Sequence, residues 1–239
     1  MGKTFNPAER LYIILEKASR KESNITIKQV WTEVFAVDPT DSKGLFLCIA
    51  DLIELVNEAK EQLKKFEDTN NRLYLESFTN IDKVLSITNL NSDWGAPKNI
   101  LNDTTMLGLQ HCSLALSRKQ SEIRVEETKL KDLRDHVESL INKILDGDIS
   151  KDLKEILLEN LENIRRAIFS YEINGADGLK RAIESSVGSI IVNKVIIERD
   201  EHKEVKSGFF DLLSKVNSLV TFAQNVKELL LPLFDVYLK

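Results

Sequence analysis

Apolar residues recur along this chain with a helical period nearly everywhere, and in two stretches with a seven-residue one. Leu45, Ile49, Leu52, Val56, Ala59, Leu63 and Phe66 follow one another in alternate steps of four and three. Ile123, Leu130, Leu133, Val137, Leu140 and Ile144 keep the same rhythm with one gap at Glu126. Such spacing holds an apolar seam toward a neighbouring helix over many turns, as in coiled coils and helix bundles. Alternating apolar runs long enough for a strand are missing. The expected fold class is all-α: an elongated antiparallel bundle of about eight helices, two of them long and coiled-coil-like, joined by short loops.

Capping and breaking residues punctuate the pattern. Asn6-Pro7 reads as an N-cap followed by proline at the first helical position, opening a helix with Leu11, Ile14, Leu15 and Ala18 on one face. Thr26 is placed to cap a short helix carrying Val30, Trp31, Val34 and Phe35, broken by Asp38-Pro39-Thr40-Asp41. A long helix then runs over 43–67, a polar turn occupies 68–71, and Leu73, Phe78, Ile81, Val84 and Leu85 mark the next helix. The Asn-, Ser-, Gly- and Pro-containing stretch 88–97 is the clearest break. Helices over 97–118 and 120–145 follow, then one capped by Ser150 and stopped by Asn174-Gly175, one over 176–199, and a last one over 209–237. The chain is expected to form a single helical unit, 1–239, with a sub-boundary at 88–97.

Composition supports a folded, soluble-type core. Of 239 residues, 42% are hydrophobic and 30% charged, outside the disordered range, while only 9 Gly and 4 Pro interrupt helices. The net charge of −5 gives no overall basic excess for neutralising phosphates, so no nucleic-acid partner is expected. Two widely separated cysteines, Cys48 and Cys112, suggest a reducing, cytoplasmic setting. The first residues lack the apolar core of a secretory signal. The longest uncharged runs, 104–117 and 216–226, fall short of a membrane-spanning length.

Chemistry is sparsely marked. His111, His136 and His202 are the histidines. Asp132 with His136, and Glu198 with His202, stand four apart and could each lend two ligands to a metal, but nothing marks a third. His111 beside Cys112 invites a thiolate–imidazole reading, yet consecutive helical residues point about 100° apart and do not face each other. No zinc-protease helix, phosphate loop, nucleophile elbow or Cys-x-x-Cys occurs. Ser23 to Phe35 loosely resembles the start of a helix-turn-helix, but Trp31 and Phe35 suit a core better than a DNA groove. No enzyme activity, cofactor or metal is expected.

Two features stand out. The block Tyr171-x-Ile173-x-Gly175-x-x-Gly178-Leu179-x-x-Ala182-Ile183-x-x-x-x-Gly188 resembles a helix–turn–helix segment of uncharacterised bacterial all-helical proteins, some encoded near defence or mobile-element genes. The resemblance covers about 153–188 and implies no activity; physically, Gly175 and Gly178 would let two helices pack closely at a tight corner. The second feature is the apolar C-terminal third. Val187, Ile190, Ile191 and Val195, with Phe209, Phe210, Leu213, Val216, Leu219, Val220, Leu230, Leu233 and Phe234, exceed what one exposed helix needs and form the candidate interface. The expected function is a non-enzymatic helical interaction and oligomerisation module whose partner is protein, a second copy or another subunit. The alternative is a membrane-acting helical effector, in bacterial antiphage defence by the resemblance.

Overall fold

The computed structural model describes residues 5–66, 72–86, 89–118, 123–199 and 202–224. It is all-α, with eleven helices and no strand among the described residues. Contacts divide the chain into two compact units, Lys3–Glu122 and Ile123–Lys239, in place of the single unit expected, and 88–97 is not a boundary.

The first unit contains α1 (Pro7–Ser19), α2 (Ile27–Phe35), α3 (Ser42–Phe66), α4 (Arg72–Leu85), α5 (Gly95–Ile100) and α6 (Asp103–Ser117). α1 packs on α2, α3 and α6, and α6 also packs on α3 and α4. The two caps predicted in this unit form, whereas Ser150, the third predicted cap, makes no side-chain capping bond. Asn6 Oδ1 accepts from the Glu9 amide at 3.0 Å, and Thr26 and Gln29 close a capping box at 3.1 and 2.9 Å. The seam of α3 turns inward as expected, with Leu45, Ile49, Leu52, Val56, Ala59 and Leu63 buried.

The segment 89–94 is stitched into this unit. Ile27 N donates to Ser92 O and Trp94 N to Ile25 O, both at 2.9 Å, around an antiparallel bridge of Thr26 with Asp93. Trp94 is fully buried, its Nε1 donating to Ala18 O at 3.1 Å, and its ring meets Trp31 edge-on at 5.6 Å between centroids. Turn-forming residues therefore carry a core anchor here. The helix expected over 97–118 is two helices, because Asn102 caps a new start by accepting from Thr105 N at 3.0 Å.

The second unit contains α7 (Glu127–Asp146), α8 (Lys151–Phe169), α9 (Tyr171–Val192), α10 (Lys194–Arg199) and α11 (Lys203–Gln224). α7 and α9 each pack on α8 and α11, so the four long helices form a closed ring of neighbours. Leu130, Leu133, Val137, Leu140 and Ile144 are buried, each worth roughly 1.5–3 kcal/mol relative to exposure. The seam begins later than expected: Ile123 precedes the helix, and Val125 is buried instead, its amide donating to Tyr171 Oη at 3.0 Å.

α8 ends at Phe169, five residues before the predicted stop at Asn174, and the corner itself falls at Gly175, with φ 56° and ψ −155°. Only glycine adopts that conformation without strain. A Cβ on Gly178 would stand 2.7 Å from Asn174 Cβ, so both glycines serve the close corner expected of them. The helix predicted over 176–199 breaks at Asn193, whose Nδ2 donates to Ser189 O at 2.9 Å. α11 starts at Lys203 and runs through Ser207 and Gly208; residues 225–239, the end of the predicted last helix, and the turn at 68–71 lie outside the described residues.

Gly175→Ala is expected to lower the stability of the second unit by roughly 1–3 kcal/mol in urea unfolding. Gly188→Ala, with open space around the new methyl, should be neutral or up to about 1 kcal/mol stabilising.

Candidate interaction surface

His111 is exposed on α6 while Cys112 faces the core, consistent with adjacent helical positions pointing apart. Burial pushes the Cys112 thiol up to about 12, and burial with the nearby charges of Asp51 and Asp41 pushes Cys48 up to about 11. Both are held as protonated thiols, the opposite of an activated nucleophile. His202 is exposed. Among the described residues no three His, Cys, Asp or Glu side chains come together as a metal would require.

His136 has a different neighbour from the one expected. Its Nδ1 stands 3.2 Å from Lys215 Nζ, across the contact of α7 with α11. An ammonium can only donate, so Nδ1 accepts and the ring proton belongs on Nε2. Partial burial and the charges of Lys215 and Lys143 hold its pKa below the ordinary 6.5, against a smaller opposing effect of Asp211. Asp132, four residues before it, is exposed.

The apolar residues singled out in the second unit separate into two groups. Phe209, Phe210, Leu213, Val216 and Val220 are buried on α11, which packs on α7 and α9, and Ile190 is buried on α9. These belong to the core rather than to an interface. The corrected reading follows from the ring of helices: a helix with neighbours on two sides needs a wide apolar stripe for its own unit. Leu219 and Val187 are half-buried, and Leu230, Leu233 and Phe234 lie outside the described residues.

Ile191 and Val195 remain, at 56% and 57% exposed, joined by Val192 at 83%. They flank the break at Asn193, while Ile190 and Ile197 anchor α9 and α10 inward. Val192 was missed in the sequence, although a signal existed. Ile190-Ile191-Val192 spans about 200° of helix surface, so one member has to face outward.

The first unit also presents apolar side chains that sequence patterning did not single out. Phe46, Leu47 and Ile53 are exposed on α3, and Leu107 and Leu114 on α6. The uncharged run 104–117 was the available sign for α6. No described helix is long and apolar enough to cross a membrane. No protein-family model, curated protein or solved structure matches the chain.

Two outcomes are expected. Native protein should react with a thiol reagent far more slowly than denatured protein at both cysteines, read by absorbance. The His136 pKa is lower folded than unfolded, so the unfolded chain takes up its proton first as pH falls through 6.5. Above that pH the residue costs nothing. Below it, wild type should lose stability relative to H136Q, by less than about 1 kcal/mol because the ring is partly solvated.

Proposed function

We propose that this chain is a non-enzymatic helical interaction module, self-associating, that docks protein through apolar helix surface. The observation that carries this reading is the exposure of Ile191, Val192 and Val195 on consecutive turns. Their neighbours Ile190 and Ile197 hold the same helices to the core, so the surface is presented by anchored backbone. Each such side chain, 56–83% exposed, leaves roughly 1–2 kcal/mol of burial energy unrealised, which a partner can recover. Single exposed apolar residues are ordinary, whereas three together on one short stretch mark a contact region.

Burial holds both thiols protonated, so neither is presented as an activated nucleophile. A protein partner suits the surface better than a bilayer, because the patch is short and Lys194, Glu198 and Arg199 lie beside it with both signs of charge.

I191E combined with V195E is expected to reduce association of the full-length chain at least tenfold, with an unchanged circular-dichroism spectrum. Sedimentation velocity over a micromolar concentration series measures it. A chain that stays monomeric throughout and binds no apolar dye would refute the reading, as would flotation with liposomes in place of protein association.

A further inference from the structure

The outer face of α6 has a pattern of its own. Asp103, Leu107, Gln110, His111, Leu114 and Arg118 are all exposed, Leu107 at 52% and Leu114 at 59%. At about 100° per residue they fall on one side of the helix, opposite the face that packs on α1, α3 and α4. Between Asp103 and Arg118 the helix carries no acidic or basic side chain except the imidazole of His111.

The order of these residues reads alike from both ends. Leu107 and Leu114 lie equally far on either side of the midpoint between Gln110 and His111, and so do Asp103 and Arg118. Thr104 and Ser117 correspond in the same way. Turned end for end, the face therefore offers leucine to leucine and acid to base. Neither Asp103 nor Arg118 has an ion-pair partner among the described residues. The exposed stripe of α3, with Phe46, Ala50 and Ile53, lacks this symmetry: about its midpoint Lys43 would meet the buried Val56.

We infer that α6 pairs with α6 of a second copy of this chain, antiparallel about a two-fold axis. An isologous contact requires one surface to be complementary to itself, and this face meets that condition in both charge and apolarity. Asp103 of each copy faces Arg118 of the other at the two ends of a contact about 22 Å long. Leu107 packs against Leu114 on each side of the axis, and His111 lies beside its own counterpart. One helix pair is at the small end of stable interfaces, so the dimer is of micromolar strength. The inference rests on the self-associating reading above and adds a second contact between copies, on α6, to the one through Ile191 and Val195.

Sedimentation and disulfide trapping of the full-length chain test it. D103R and R118D should each weaken the dimer about tenfold by bringing like charges together, and the double variant D103R/R118D should restore it to within about twofold. L114E should weaken it at least tenfold. On mild oxidation H111C should form an intermolecular disulfide. L107C should not do so alone, since its counterpart is about 10 Å away along the axis, but an equal mixture with L114C should. A dimer that persists in L114E and is lost in I191E/V195E would overturn this assignment while leaving the broader reading intact. A chain that is monomeric at all concentrations would remove both. A double variant no tighter than its parents would overturn the antiparallel geometry.

Discussion

Burial of one apolar stripe per helix, in aliphatic side chains that interlock across neighbours, is the interaction on which both units depend. Nothing else among the described residues operates at that scale. The ion pairs joining Lys60 to Asp82, Lys21 to Glu33 and Arg165 to Glu138 have exposed or half-exposed partners and contribute little individually. No disulfide links the two cysteines, which are buried as thiols. Helices without strands or covalent staples stay together only if each stripe finds a partner stripe, and this condition selects the close corner at Gly175 as well as the inward turn of Trp94.

Several polar groups in the cores are accommodated by specific pairing, whereas Trp31 Nε1 and Ser186 Oγ are buried with no hydrogen-bond partner among the described residues. Asn6 caps α1 through Oδ1 and uses Nδ2 to reach Ser113 O at 3.0 Å and Ser117 Oγ at 2.9 Å on α6. Arg10 is buried beside it, bound to Glu58 at 2.8 Å. In the second unit Asn160 reaches Ser189 Oγ at 2.9 Å between α8 and α9. A buried amide or guanidinium without such partners would cost several kcal/mol, so these contacts restrict which helix positions can face each other. Packing supplies the stability, and the polar pairs define the alignment.

What the cores leave outside is as informative as what they enclose. Ile191, Val192 and Val195 in one unit, and Leu107 and Leu114 in the other, remain on helices whose opposite faces are already engaged. Surface leucines and valines on anchored helices are available to a partner without unfolding anything. The reactive groups point the other way. Thiols are protonated and buried, and His136 faces a lysine.

Helical class, most element positions and the two seams were legible from periodicity alone, because a 3.6-residue repeat of apolar side chains admits few other folds. So were the caps at Asn6 and Thr26 and the need for glycine at 175 and 178, where local geometry depends on near neighbours in sequence. The breaks at Asn102 and Asn193 were not, since asparagine is tolerated within a helix as well as at its ends. Trp94 looked like part of a boundary because turn residues surround it, and only its bond to Ala18, far away in sequence, makes it core. The same limit explains the candidate interface. Hydrophobic spacing says that Phe209, Val216 and Ile191 each face something, but whether that is a helix of the same unit or open surface depends on which neighbours the packing brings alongside.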